Sequence, residues 1–122
     1  MTADEWYSRP VFFVQNVEGA LSHYLGVFAF AEDWTVREGE SLIAAQVSRD
    51  GLEIILYHDE SRAGGGRIFM SLKPGDVASL MKDFESRGSQ VSDGHWGMPI
   101  MYVKDLDDNE LYFYDDKLNE KT

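Results

Sequence analysis

The sequence contains no cysteine among its 122 residues. Disulfide bonds and thiolate metal sites are therefore excluded, and the cytoplasm is the expected location. Basic residues are also scarce, with 11 Lys and Arg against 22 Asp and Glu, which gives a net charge of −11. Because phosphate neutralisation requires clustered Lys and Arg, we expect no nucleic-acid partner. The negative charge either serves solubility or concentrates a cationic ligand.

Long hydrophobic runs are lacking as well, so we expect no membrane span. The acidic start, Met1-Thr2-Ala3-Asp4-Glu5, does not resemble a signal peptide. What is present is a 43% hydrophobic composition with seven Phe, six Tyr and three Trp, clustered in the predicted strands. This composition predicts one domain, residues 1–122, whose aromatic side chains form either a core or a stacking pocket.

A repeat organises the chain. Gly39 and Gly97, Gly51 and Asn109, and Arg9 and Arg67 are pairs that each lie 58 residues apart. The Gly-rich segment 61–66 falls between the two copies and is predicted to link them. We therefore predict a first module over about residues 8–60 and a second over about 67–116.

Each copy reads as βαβββ. Asn16 is predicted to cap a helix that begins at Val17 and ends near Gly26, and Asp50-Gly51 is predicted to form a tight hairpin turn. The second helix is closed by Gly88. The predicted strands are 9–14, 33–37, 41–47, 52–57, 67–72, 90–92, 98–104 and 110–115. The predicted fold class is α+β, with two tandem modules forming a curved, mostly antiparallel sheet.

Two motifs carry a family resemblance. They are Asn16-Val17-Glu18-Gly19-Ala20-Leu21-Ser22-His23-Tyr24-Leu25-Gly26 and His95-Trp96-Gly97 followed by Asp105-Leu106-Asp107-Asp108-Asn109. With the βαβββ repeat, they resemble the vicinal oxygen chelate superfamily, which includes glyoxalases, dioxygenases, fosfomycin-resistance enzymes and bleomycin-resistance proteins. In the second motif Leu106 stands where the family has Pro, and Asp108 where it has Gly.

The resemblance implies a divalent metal held by His, Glu or Gln from the first, fourth, fifth and eighth strands. Aligning the motifs puts Arg9, Ile54, Arg67 and Tyr112 at these positions. None suits a divalent ion, because arginine has no lone pair to give, isoleucine has no donor and a phenol would have to ionise. We therefore expect no metal and no cofactor.

A shift of the alignment by one or two residues would place a glutamate at a metal-ligand position, so a metal site stays open as an alternative. Glu53 neighbours Ile54, and Glu110 lies two residues before Tyr112 on the same strand face. His23, His58 and His95 are scattered and predict no ligand triad.

Without metal, the concave face is predicted to be an aromatic groove for a flat, positively charged molecule. Arg9 and Arg67 either attract an anionic group there or pair with carboxylates such as Glu110 and Asp115. The candidate ligand-binding residues are Arg9, Phe13, Ile54, Arg67, Phe69, Trp96, Tyr102, Glu110, Tyr112 and Tyr114, and we expect no catalytic residue.

These features favour a homodimeric protein that binds or sequesters a small molecule, such as an antibiotic. This function is closest in character to the metal-free bleomycin-resistance branch that the resemblance suggests. The alternative is a metal-dependent lyase or dioxygenase of the same superfamily. A third hypothesis is a non-catalytic domain that binds a protein partner through its acidic surface.

Overall fold

The computed structural model describes residues 6–120, which form two four-stranded sheets with helices packed against them. The N-terminal sheet has the strand order β1-β4-β3-β2 and is accompanied by one long helix. Its elements are β1 (Val11–Val14), α1 (Val17–Gly26), β2 (Ala31–Glu38), β3 (Ser41–Arg49) and β4 (Leu52–His58), followed by a 3₁₀ turn (Glu60–Arg62).

The C-terminal sheet repeats this arrangement with the order β5-β8-β7-β6. Its elements are β5 (Arg67–Ser71), α2 (Asp76–Ser86), β6 (Ser92–His95), β7 (Pro99–Lys104), β8 (Glu110–Tyr114) and a final short helix α3 (Asp116–Asn119). In each sheet the first strand pairs parallel to the fourth, and the other two pairings are antiparallel.

The predicted fold class is confirmed, with the strands divided equally between two sheets. Helix α1 starts at Val17 as predicted, and the Asn16 side chain accepts a hydrogen bond from the Gly19 amide at 2.9 Å. Asp50 and Gly51 both have positive φ and form the two-residue hairpin loop between β3 and β4. The prediction for β6 was wrong, because this strand covers Ser92–His95 instead of residues 90–92.

One hydrophobic core joins the two halves of the chain. The ring of Tyr24 on α1 packs edge-on against Phe28, with 5.2 Å between ring centroids. Phe28 in turn contacts Phe84 of α2 at 5.1 Å, and Phe84 contacts Phe113 of β8 at 6.0 Å. Because these side chains are almost fully buried, neither half keeps a complete core without the other.

A buried polar link reinforces this core. The Asp105 carboxylate, in the turn between β7 and β8, accepts hydrogen bonds from the Tyr24 hydroxyl at 2.8 Å and from the Asn109 side chain at 3.0 Å. Asn109 also donates to the Phe13 carbonyl and accepts from the Gly66 amide. A Cβ on Gly66 would lie 2.7 Å from the Asn109 side-chain oxygen, so only glycine fits there.

No helix within residues 6–120 is long and apolar enough to cross a membrane.

Replacing Asn109 by alanine is expected to destabilise the protein by about 2–4 kcal/mol, because each buried partner left unpaired costs about 1–3 kcal/mol. The partners are the buried Asp105 carboxylate, the Gly66 amide and the Phe13 carbonyl. Urea denaturation measures the effect. Leu106→Ala, at a 63% exposed position in the same turn, is the control and should stay within about 0.5 kcal/mol of the parent. Equal stability of the two variants would contradict the role of the Asn109 link.

His23 predicts a pH dependence of stability. Burial lowers the pKa of His23 below its ordinary value and outweighs the opposing effect of the Asp105 carboxylate. Its Nε2 atom is buried and has no hydrogen-bond partner among residues 6–120. As the pH falls below about 6.5, the unfolded chain therefore binds a proton more readily than the folded chain, and the free energy of unfolding decreases.

His23→Phe keeps the ring that packs on Phe28 at 4.8 Å but removes the titrating group. We expect it to flatten the stability curve just below pH 6.5, measured by urea denaturation across that window. His58→Phe, at a side chain 46% exposed, is the comparison variant, because it removes a histidine that lies outside the core. A parent curve that is already flat in this window would contradict the assignment.

Candidate ligand-binding faces

Each sheet has one face against the core and one open face, and successive side chains of a strand point to opposite faces. In β8, Leu111 and Phe113 belong to the core, so the intervening side chains point the other way. The C-terminal open face consists of Arg67, Phe69, Ser71, Ile100, Tyr102, Lys104, Glu110, Tyr112 and Tyr114. The N-terminal open face consists of Val11, Phe13, Trp34, Val36, Ala44, Gln46, Glu53, Ile55 and Tyr57.

Aromatic rings are in mutual contact across the C-terminal open face. The indole of Trp96 is stacked on Phe69 with 5.5 Å between ring centroids and 20° between planes. It also contacts Tyr112 at 4.5 Å, and Tyr112 contacts Tyr102 at 5.2 Å. Trp96 is 51% exposed and Phe69 36%, whereas Tyr112 is only 7% exposed, so the indole and part of the Phe69 ring form the accessible surface of this cluster.

The loop between β6 and β7 positions Trp96. His95 pairs with Pro99, which leaves a three-residue hairpin loop, and the Trp96 amide donates to the Met98 carbonyl at 3.0 Å. Gly97 at the centre has a φ of 73°, in the left-handed region that glycine adopts without strain. The loop folds the indole back over the sheet.

A charged cluster lies beside these rings. The Arg67 Nε donates to the Glu110 carboxylate at 3.2 Å, and the Tyr112 hydroxyl donates to the same carboxylate oxygen. Burial is the main cause that raises the pKa of Tyr112 above its ordinary value, and the hydrogen bond to Glu110 raises this pKa further. Tyr112 is therefore a phenol rather than a phenolate at neutral pH. The sequence alternative in which Arg67 pairs with Glu110 is confirmed.

The N-terminal open face has a polar network at the corresponding place. Gln46, only 4% exposed, accepts a hydrogen bond from Arg9 at 2.7 Å. Its amide nitrogen donates to Asp33 at 3.0 Å and to Glu53 at 3.4 Å. The Arg9 guanidinium also lies over the Tyr7 ring, 5.2 Å from its centroid. Two carboxylates and one guanidinium give this network a net charge of −1.

The prediction of Ile54 as a groove residue was wrong. Ile54 is fully buried in the core, and its neighbours Glu53 and Ile55 point to the open face instead. The error arose because β4 and β8 were aligned on the turns that precede them, and those two turns differ in length. The turn before β4 has two residues, whereas Lys104 and Glu110 pair across a five-residue loop before β8. The structural equivalent of Tyr112 is therefore Ile55.

The other predicted residues lie on or beside an open face. Phe13 is on the N-terminal face and Arg9 is next to it. The C-terminal face has Arg67, Phe69, Trp96, Tyr102, Glu110, Tyr112 and Tyr114. Asp115, the suggested partner of an arginine, instead accepts hydrogen bonds from the Gly75 and Val77 amides at the start of α2.

The sequence pattern did not predict a place on the open faces for three residues: Gln46, Asp33 and Lys104. Gln46 interrupts the apolar run Leu42–Val47, and this signal indicates a polar partner on the open face.

The residues at the predicted metal positions do not fit a divalent ion. Arg9 and Arg67 have no free lone pair, Ile54 is in the core, and Tyr112 retains its proton. Among residues 6–120, no three His, Asp or Glu side chains converge as a metal site would require. The histidines are separate: His23 packs on Phe28, His58 lies near Glu60, and His95 ends β6.

A cleft of about 420 Å³ lies elsewhere, between the two halves of the chain. Phe30, Leu80 and Phe84 contribute apolar surface to it, and Asp50 and Asp83 contribute charge. None of the candidate ligand-binding residues lines this cleft.

Comparison with known proteins supports the fold. No family model and no curated protein sequence matches the chain. Among solved structures, it is similar to the bleomycin-binding protein from bleomycin-producing Streptomyces verticillus, complexed with copper(II)-bleomycin. The TM-score is 0.74 at 16% identity, covering 93% of this chain and 98% of that one.

Two further structures show the same likeness. TnmS3, an antibiotic-binding protein from Streptomyces sp. CB03234, has a TM-score of 0.64 at 18% identity, covering 94% of this chain and 98% of that one. Lactoylglutathione lyase from Agrobacterium tumefaciens has a TM-score of 0.68 at 15% identity, covering 96% and 98%. The chain thus has the fold of the vicinal oxygen chelate superfamily, and the resemblance is confirmed at the level of the fold.

Proposed function

We propose that this protein binds and sequesters a small planar molecule, such as an antibiotic, without a metal ion and without chemical change. The observation that carries the proposal is the contact cluster of Phe69, Trp96, Tyr102 and Tyr112 on an open sheet face. Stacked rings with one exposed surface favour a flat ligand. Two proteins of the same fold, the bleomycin-binding protein and TnmS3, are antibiotic-binding by their names.

The absence of a metal is part of the proposal. In both sheets an arginine at or just before the first strand meets a polar group of another strand: Arg9, two residues before β1, meets Gln46 of β3, and Arg67 of β5 meets Glu110 of β8. A cation entering either position would be repelled by the guanidinium group. The carboxylate at each position is already engaged in hydrogen bonds.

We further propose that the protein is a cytoplasmic homodimer in which each ligand is covered by two chains. Val11, Trp34, Val36 and Tyr57 leave an apolar area exposed on the N-terminal open face, each at least 36% accessible. The Gln46 network beside it is negative, whereas the C-terminal open face has Arg67 and Lys104 beside a single Glu110. The two faces are therefore complementary in charge and would cover each other between copies.

A second candidate is a metal-dependent lyase or dioxygenase. Glu53 and Glu110 favour it, because both carboxylates point to open faces at corresponding strand positions. Lactoylglutathione lyase and FosX enzymes have the same fold. Within residues 6–120, no group of three His, Asp or Glu side chains converges at either glutamate, and this argues for the binding function.

Trp96→Ala tests the binding surface. We expect it to weaken the binding of metal-free bleomycin or of the neutral probe naphthalenemethanol by about 5- to 30-fold, because a ring contact and its buried area are lost. Isothermal titration calorimetry is the measurement, since it does not depend on the removed fluorophore. Trp6→Ala, at a fully exposed position, is the control and should bind as the parent does. Unchanged affinity in Trp96→Ala would remove this face from the proposal.

Metal analysis separates the two candidates. After dialysis against Mn²⁺, Ni²⁺, Zn²⁺ or Fe²⁺ and then metal-free buffer, the protein should retain far less than one ion per chain. Elemental analysis gives the ratio, and chelator treatment should leave the affinity for naphthalenemethanol unchanged. One bound ion per chain, lost in Glu110→Gln, would instead favour the lyase or dioxygenase.

A further inference from the structure

We propose, on the basis of the binding function above, that the C-terminal open face selects planar aromatic ligands that carry an anionic group. The ring would lie against Trp96, and the carboxylate, sulfonate or similar group would contact Arg67 with support from Lys104. This differs from the cationic ligand that the overall charge of −11 favours.

The accessible charge on this face is positive. Arg67 and Glu110 form an ion pair, but the arginine side chain is 66% exposed and the glutamate side chain only 16%. Lys104 is exposed and sits directly across from Glu110 in the β7–β8 pairing. Because the preceding residue, Val103, is in the core, Lys104 points to the open face. A ligand therefore meets two cations before it meets the carboxylate.

Hydrogen-bonding capacity leads to the same conclusion. Glu110 already accepts from the Arg67 Nε and from the Tyr112 hydroxyl. Within residues 6–120, neither terminal nitrogen of Arg67 has a hydrogen-bond partner. A guanidinium with both terminal nitrogens unpaired presents a planar pair of donors that matches a carboxylate or sulfonate.

The spacing suits a small ring acid. Arg67 and Phe69 are two residues apart on the same face of β5, about 6–7 Å along the strand. Phe69 supports the indole of Trp96, so a ring against Trp96 puts a substituent within reach of Arg67. The nearest acid at the other end of the face is Asp116, which accepts from Tyr114, and Tyr114 is about 13 Å along β8 from Glu110.

Local charge outweighs the net charge at this distance. At physiological ionic strength, charges beyond a Debye length of about 8 Å are largely screened, so only acidic residues within that distance of Arg67 weigh against an anion there. More distant acidic residues slow the approach of an anion more than they weaken its bound state.

The test uses three probes with the same ring and different charge: naphthoate, naphthalenemethanol and naphthylmethylammonium. Calorimetry on the full chain should rank naphthoate first, about 10-fold tighter than the ammonium probe. Arg67→Gln should weaken naphthoate about 3- to 10-fold and leave naphthalenemethanol within about 2-fold, as expected for an exposed ion pair. Lys104→Gln should shift affinities in the same direction by less, and added salt should reduce the preference.

Arg37→Gln is the matched control, because it removes one exposed positive charge from the other sheet. It should leave the ranking of the probes unchanged, and circular dichroism should confirm that all variants are folded. Equal binding of the three probes, or tighter binding of the ammonium probe, would overturn the inference while the binding function stands. Failure of all three probes to bind would instead contradict the binding function itself.

Discussion

The structure depends on one buried carboxylate, that of Asp105. It accepts from the Tyr24 hydroxyl of α1 and, within its own turn, from the backbone amides of Asp107 and Asn109. Asn109 extends the link to the first strand through the Phe13 carbonyl. One turn of the second half thus holds both the helix and a strand of the first half. The open faces are on the sides of the two sheets that point away from this shared core. The Asp105 link therefore also holds the two open faces in position relative to each other.

The repeat explains why the two open faces have an arginine and a glutamate at corresponding positions and yet differ in charge. Each sheet begins with an arginine beside a parallel partner strand that supplies a carboxylate, Glu53 in one sheet and Glu110 in the other. Around Arg9 the additional polar groups are Gln46 and Asp33, whereas around Arg67 they are Tyr112 and Lys104. The repeat therefore places an arginine and a glutamate at corresponding positions in both sheets, and the neighbouring residues make the N-terminal face negative and the C-terminal face positive.

Much of the fold could be predicted because its signals are local. Asn16 marks the start of α1, and Asp50-Gly51 marks the hairpin. Strand β6 was misplaced because Ser92–His95 contains no apolar residue that alternation could reveal. The error at Ile54 has a different cause: the two equivalent turns differ in length, and a shift of one residue moves a side chain to the opposite face of the sheet. The contacts of Gln46 and Lys104 depend on which strands pair and in which register. A single sequence does not determine this pairing.

The stacking of Trp96 on Phe69 has a consequence for the shape of the surface that this sheet exposes. With the indole in place, Tyr112 is covered, whereas the outer surface of Trp96 and part of Phe69 remain accessible. A single ring placed there would cover part of the indole, whereas a fused bicyclic ring would cover all of it. Because the hairpin loop sets the position of the indole, it also sets the width of the flat aromatic surface that this sheet exposes.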